Sequence, residues 1–362
     1  MAQKIRYGVI GCGVIGELHS KVVTQALPNE CELVAVADII PERANKYAKE
    51  FGGTPHYDYE SLLKRDDVDM VSVCLPSGMH VDCTIAALNA GKHVICEKPF
   101  DITTDAIDRA LAVEKNAKGR LTVIFQNRFH AASQIVQQAA VDGKFGRLTY
   151  ASAQIPWYRS QEYYDSGDWR GTWELDGGGA LMNQGVHTID LMQWVMGPVV
   201  EVQAYCATIA HQRIEVEDVA MAAVKFENGA IGVIEGSTAL YPGLPIRLVV
   251  GGDAGSAVIE GSDLAWFHAK GEGEKGGLYG GGKSNQAKEM LAAYADALSA
   301  NPTLADDRVP GAYAHVIQIK KMVDAILTGG PVPVPAADSR NAVAIILAVY
   351  ESARLGKAVK VK

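Results

Sequence analysis

Ile5-Arg6-Tyr7-Gly8-Val9-Ile10-Gly11-Cys12-Gly13-Val14-Ile15-Gly16 runs from an apolar stretch straight into a GxGxxG pattern. The apolar half reads as a strand covered on both faces, and residues 14–27 read as a helix. In a chain with 37 glycines the pattern alone is a weak signal. A strand before it and a helix after it give it meaning. Gly11 would make the tight turn, Gly13 would let a pyrophosphate approach the backbone, and Gly16 would let helix and strand pack closely. Val14 and Ile15 open the helix, whose unpaired amides favour an anion.

Working outward, residues 31–37 form a second apolar run that ends in Asp38, 22 residues after Gly16. An acid there suits the adenosine ribose and repels a 2′-phosphate, and Ile39 offers no cation for one. NAD is therefore expected rather than NADP, although Arg43 lies one helical turn on. Asp38 also reads as a cap for the helix starting at Pro41, and the two roles are compatible. Helices at 59–64, 79–89 and 103–118, with Thr103 or Thr104 as cap of the last, alternate with strands at 69–75, 93–96 and 121–126. Such alternation means right-handed crossovers and a parallel sheet.

Parallel strands deliver their carboxyl ends to one rim. Three loops should therefore line the same crevice as the glycines: Leu75-Pro76-Ser77-Gly78-Met79-His80, Glu97-Lys98-Pro99, and Gln126-Asn127-Arg128. Proline ends the strand at residues 93–96 and leaves Lys98 at its tip, facing a ligand. A solvated lysine at a strand end is the plainer reading.

At 362 residues the chain suggests two domains, placed at 1–126 and 127–362. Charged residues at 21% and hydrophobic ones at 48% fit a globular protein. The net charge of −8, without a Lys/Arg stripe, argues against nucleic acid. Apolar windows fall short of a membrane span, and Met1 lies too close to the first strand for a leader, so a cytoplasmic location is expected. Six cysteines are scattered without a CxxC pair and read as small buried residues. No metal site is expected.

Beyond a helix at 131–141 the crossover rhythm stops. Strands at 148–155, 200–207, 219–226, 230–235, 247–251 and 257–260, with a hairpin turn at Glu227-Asn228-Gly229, give a largely antiparallel sheet. A second copy of the chain covering its free face, in a homodimer or homotetramer, is expected. Residues 157–173 are dense in Trp, Tyr and Arg, which serve as sugar platforms or as pins for a surface loop. Trp157, Arg159 and Tyr164, together with Arg128, are candidate substrate contacts. After Gly177-Gly178-Gly179 come Asn183, His187 and Asp190, spaced to share one helical face. A lone helical histidine is usually structural; here the amide and the glycine triplet favour a functional one. Seven glycines in residues 270–284 read as a flexible loop. Amphipathic helices follow at 287–299, 314–327 and 341–354, the last capped by Asp338 or Ser339.

Gly11 to Gly16, Glu97-Lys98-Pro99, and the glycine triplet followed by His187 together resemble the Gfo/Idh/MocA (glucose-fructose oxidoreductase and inositol dehydrogenase) family, over essentially the whole chain. The resemblance implies an α/β chain: an N-terminal Rossmann dinucleotide-binding domain, then a C-terminal α+β domain with a large, mostly antiparallel open sheet. It implies hydride transfer between NAD and a secondary hydroxyl of a sugar, cyclitol or sugar derivative. Lys98 is similar to the lysine that contacts nicotinamide and substrate, and His187 to the catalytic acid/base, with Asn183 orienting one or the other. Many members carry aspartate where this chain has Asn183. That departure points away from the inositol dehydrogenase pattern and towards other sugars, nucleotide-linked ones included. An NAD-dependent glycoside hydrolase or lyase using transient oxidation, and a cofactor-binding sensor without turnover, are the other readings.

Overall fold

In the computed structural model, which describes residues 4–271, 273, 274, 278, 284–299 (side chains to 296) and 309–362, the opening apolar run becomes β1 (Ile5–Ile10). There follow α1 (Val14–Lys21), β2 (Cys31–Ala37), α2 (Pro41–Phe51), β3 (Thr54–His56), α3 (Tyr59–Leu63), β4 (Met70–Val73), α4 (His80–Asn89), β5 (His93–Cys96), α5 (Thr104–Glu114) and β6 (Leu121–Val123). All six strands pair in parallel, in the order β3-β2-β1-β4-β5-β6. This is the doubly wound order, whose reversal between β1 and β4 opens a crevice beyond the strands' carboxyl ends. β3 escaped sequence reading because three residues around a proline carry no alternation; at the edge Pro55 is tolerated.

α1 is shorter than the expected helix. It gives way to a π turn at Val22–Ala26, where Ser20 Oγ donates to Gly16 O and Thr24 Oγ1 to Ser20 O, at 2.9 and 2.8 Å. Hydroxyls that bond back in this way compete with the α-helical ladder. Thr103 caps α5 by accepting from the Ala106 N–H.

The chain continues through α6 (Ala131–Val141), β7 (Leu148–Pro156), α7 (Gln161–Asp165), a π segment at Ala180–Gly185, α8 (Val186–Met196), β8 (Val199–Ala207), β9 (Val219–Phe226), β10 (Ile231–Ser237), β11 (Arg247–Gly252), β12 (Gly255–Glu260), β13 (Asp263–Ala269) and α9 (Ala287–Ser299). α10 (Tyr313–Thr328), α11 (Ala336–Leu355) and β14 (Val359–Lys360) complete it. Eight strands form one sheet in the order β13-β12-β11-β7-β10-β9-β8-β14. Among the described residues, only the β7–β10 pairing of this sheet is parallel. One face packs under α8, where Ile189 and Met192 meet a core that includes Ala153, Leu248 and Val250. The other leaves Tyr205, Met221 and Ile231 exposed.

Two compact units result, residues 1–126 with 303–340 and residues 127–302 with 341–362. In the first, α10 buries Val316, Ile319, Met322 and Val323 in one core with Tyr7, Val9, Val36 and Ile95. The division falls within α11, which starts earlier than expected. Asp338 and Ser339 are therefore inside the helix rather than at its cap, and Ser339 Oγ donates to Ala336 O at 2.6 Å. The glycine-rich stretch at 270–284 lies largely outside the described residues.

Candidate functional site

In the first unit the three glycines divide their work. Gly11 has φ +97°, and a Cβ there would strike the Cys74 carbonyl. A Cβ on Gly16 would strike the Gly11 carbonyl, whereas Gly13 has nothing within 4 Å of its position. Two glycines thus close the loop on the protein and the middle one faces open space, as a pyrophosphate requires. Asp38 reaches to the same loop: Oδ2 accepts from the Cys12 N–H at 2.9 Å and Oδ1 from the Ile40 N–H at 2.8 Å. It does not cap α2, whose N-cap is Ile40 with Pro41 just inside. Val14 and Ile39 are 88% and 81% exposed, Ile15 is half-buried and Arg43 is exposed. Large apolar side chains left in water around an open glycine fit a dinucleotide that would cover them.

At the end of β5, Lys98 is half-buried and Glu97 is buried. Glu97 anchors a chain that sequence reading missed. Tyr7 OH lies 2.7 Å from Ser72 Oγ, Ser72 Oγ 2.7 Å from His19 Nδ1, and His19 Nε2 3.0 Å from Glu97 Oε1. Glu97 Oε2 accepts from the Lys98 N–H at 3.2 Å, and His315 Nε2 of α10 stands 3.8 Å from Oε1. Burial pushes the Glu97 carboxyl up, but the His19 hydrogen bond and electrostatic attraction from the His19, His315 and Lys98 side chains outweigh it and hold it at about 2. His19, Glu97 and His315 bring atoms of metal-ligand type within 4.8 Å of one another. The 3.0 Å contact has the length of a hydrogen bond.

His80 and Ser77, expected at the cofactor, are buried instead. His80 sits 2.7 Å from both the Pro99 and Leu75 carbonyls, so it clamps two of the rim loops together, and burial lowers its pKa. Leu75 and Pro76 remain half-buried.

In the second unit Asn127 is half-buried, but Arg128 is not open to a ligand. Its guanidinium makes two bonds to Asp190, at 2.8 and 2.6 Å, and lies 5.0 Å from the Trp194 ring centroid. Arg128 and Asp190 are thus a buried bidentate pair. Tyr164 is 4% exposed and its hydroxyl meets Thr238 Oγ1 at 2.8 Å, so it packs rather than lines an opening. Trp157 and Arg159 are half-buried, the guanidinium 4.9 Å from the indole centroid.

The expected polar row on one helix is broken. Asn183 lies in the π segment, donating from Nδ2 to Asp176 Oδ1 at 2.6 Å and accepting from Gln184 Nε2 at 3.3 Å. His187, 8% exposed, lies one turn further on in α8. Glu217 seats the start of this segment. Its carboxylate accepts from the Gly179 N–H at 3.0 Å, the Leu181 N–H at 2.9 Å and the Tyr350 hydroxyl at 3.0 Å. Burial nevertheless raises the Glu217 carboxyl to about 6. Neither Asp176 nor Glu217 was singled out from sequence. Asp176 stands directly before the glycine triplet, the one local signal available.

Residues 5–125 match the family described as oxidoreductases with an NAD-binding Rossmann fold, and residues 133–258 match the GFO/IDH/MocA C-terminal domain. The chain belongs to the GFO/IDH/MocA family. The crystal structure of a WlbA dehydrogenase from Bordetella pertussis, in complex with NADH and UDP-GlcNAcA, is similar at 29% identity and a TM-score of 0.86, over 100% of this chain and 99% of that one. A dTDP-3,4-didehydro-2,6-dideoxy-alpha-D-glucose 3-reductase from Actinomadura kijaniata is 34% identical over 59% of this chain and 61% of its own length. A myo-inositol 2-dehydrogenase from Thermotoga maritima is 28% identical over 69% and 74%. The first unit of this GFO/IDH/MocA member is its NAD-binding domain, and its activity is NAD-dependent oxidoreduction at CH–OH groups of sugar-like substrates. Among the described residues no helix is long and apolar enough to cross a membrane.

Proposed function

We propose that this family member is a nucleotide-sugar dehydrogenase that oxidises a secondary hydroxyl of the sugar ring. The observation that carries the reading is the end-to-end likeness to the WlbA dehydrogenase bound to NADH and UDP-GlcNAcA. Asn183 where an aspartate is common points the same way, since it separates the chain from the inositol dehydrogenase pattern.

The loop from Gly11 to Gly16, with Asp38 and Ile39 beside it, would hold the dinucleotide, while the buried Glu97 braces the strand end at Lys98 from within. Bound NAD supplies the hydride acceptor. In this reading His187 of the second unit acts as the base that takes the substrate hydroxyl proton, and Lys98 of the first unit donates a hydrogen bond that stabilises developing negative charge. Asn183, fixed by Asp176, orients the reacting groups. The exposed sheet face around Tyr205, Met221 and Ile231 is proposed to pack on a second copy; a light-scattering mass of one chain at micromolar concentration overturns that.

The test is NADH formation across nucleotide sugars, free sugars, inositols and glycosides. Net NADH with a nucleotide sugar, at a kcat/KM at least tenfold above any free sugar or inositol, is expected. Glycoside cleavage that needs NAD without net NADH would move the reading to a transient-redox hydrolase.

A further inference from the structure

Two half-buried arginines in the second unit, Arg159 and Arg170, stand without a carboxylate among the described residues. Arg159 lies 4.9 Å from the Trp157 centroid and 5.4 Å from that of Tyr163, while Arg170 covers the same Tyr163 ring at 4.3 Å and Trp169 at 4.5 Å. Both are half-buried, and among the described residues neither forms an ion pair. Arg213 and Arg128 of this unit are instead held by carboxylates, Arg213 by Asp165 at 2.6 Å and Arg128 by Asp190. Of the five N–H donors on a guanidinium, Arg159 uses one on Tyr158 O (2.9 Å) and one on Gln184 Oε1 (2.7 Å), and Arg170 one on the Tyr163 hydroxyl (2.6 Å). The remaining donors are available.

The place is also built. Arg159 N–H donates to Thr238 O at 2.8 Å, and its carbonyl meets His211 Nε2 at 2.7 Å, while Nδ1 of that ring lies 3.0 Å from Asp218. Through Gln184 the Arg159 guanidinium is two hydrogen bonds from Asn183. Two partly desolvated cations stacked on one phenol repel each other and have lost part of their hydration; an oxyanion would offset both.

We propose that Arg159 and Arg170 form an anion subsite that takes a carboxylate or phosphate group of the sugar substrate. Tyr163 and Trp157 hold the two forks in place, and the free N–H groups make charge-assisted bonds to the oxyanion. The inference rests on the nucleotide-sugar reading and narrows it to a substrate with an acidic group at this position.

The experiment measures binding of UDP, D-glucuronate and D-glucose by calorimetry, and turnover of UDP-glucuronate and UDP-glucose, for the wild type, Arg159→Gln, Arg170→Gln and Arg170→Lys. Wild type is expected to bind at least one anionic probe tenfold or more tightly than glucose. Each glutamine variant should weaken that probe tenfold more than it weakens glucose, with Arg170→Lys in between. Loss confined to glucuronate assigns a carboxylate, and loss confined to UDP assigns a phosphate. Equal effects on charged and neutral probes, or a wild type that binds neither anion better than glucose, overturn the subsite; the latter needs no variant to fold. Arginine-dependent glucuronate binding with no turnover of any nucleotide sugar sinks only the nucleotide-sugar reading. Turnover of UDP-glucuronate that neither variant alters in KM sinks only the subsite.

Discussion

Asn183 donates a 2.6 Å hydrogen bond from Nδ2 to Oδ1 of Asp176, a carboxylate 1% exposed that also accepts from the Gly171 N–H. The amide is matched to a buried acid. Asn183→Asp would set two carboxylates at hydrogen-bond distance, and one of them would have to keep a proton. The pair's folded pKa would then lie above the unfolded value, so stability is retained at low pH and lost as pH rises through the folded pKa. Urea titration should show a loss of about 2 kcal/mol at pH 7 that shrinks towards pH 4. Adding Asp176→Asn should restore most of it; a double variant no better than the single one removes the argument.

The glycines of the first loop should separate folding from cofactor binding. Gly16→Ala drives a methyl into the Gly11 carbonyl, and such overpacking costs about 1–3 kcal/mol. Gly13→Ala meets nothing within 4 Å and should leave the melting temperature within a degree or two. NADH titration is expected to show the reverse order of interest: Gly13→Ala binds at least tenfold more weakly while folding normally. A Gly13→Ala protein with unchanged NADH affinity would place the pyrophosphate elsewhere.

Glu97 links the strand that ends at Lys98 to the His19 imidazole. With its folded pKa held at about 2, below the ordinary 4.5, its contribution is fully present above pH 4.5 and disappears as pH falls towards 2. Glu97→Gln should therefore destabilise the protein at pH 7 by about 3 kcal/mol and make it less acid-sensitive below pH 4.5. Chemical unfolding at pH 7 and at pH 3 checks both. Parallel pH curves for variant and wild type would rule out the ionised form as the anchoring one.

Lys98 and His187 carry the proposed proton chemistry. Lys98→Met and His187→Asn should each lower kcat on the true substrate by roughly 10²- to 10⁴-fold, the usual weight of a positioned acid or base. NADH affinity should change far less for His187→Asn. Steady-state kinetics on the sugar identified by the panel decide it, and turnover within tenfold of wild type removes the assigned role from that residue.

Much of this arrangement was legible because it lies in contiguous pattern. β1 with GxGxxG, Asp38 at the end of β2, and the lysine ending β5 are each readable within a dozen residues, and together they define the doubly wound half. What escaped was tertiary. His315 meets Glu97 from more than two hundred positions away, and Glu217 reaches the glycine triplet from a different element. Spacing rules also fail where the helix is not an α-helix: Asn183, His187 and Asp190 share a face only at 3.6 residues per turn, and the π segment at Ala180–Gly185 changes that geometry. Arg128 looked like a ligand contact because its loop lies at a strand end, but Asp190 occupies it.

Glu217 gives the sharpest pH signature. Its folded pKa of about 6 exceeds the ordinary 4.5, so between those values the folded state holds a proton that the unfolded state has released. Stability from this group is complete below pH 4.5 and declines as pH rises to 6, by about 2 kcal/mol at 1.36 kcal/mol per unit. Glu217→Gln removes the titration and should flatten that part of the stability curve. The amide nitrogen would face an N–H donor that the carboxylate satisfied, a loss of about 1–3 kcal/mol that is independent of pH. Because one of the Gly179 and Leu181 amides loses its acceptor, the π segment carrying Asn183 should loosen, and kcat should fall more than KM rises. A variant that keeps the wild-type slope between pH 4.5 and 6 would show that another group titrates there.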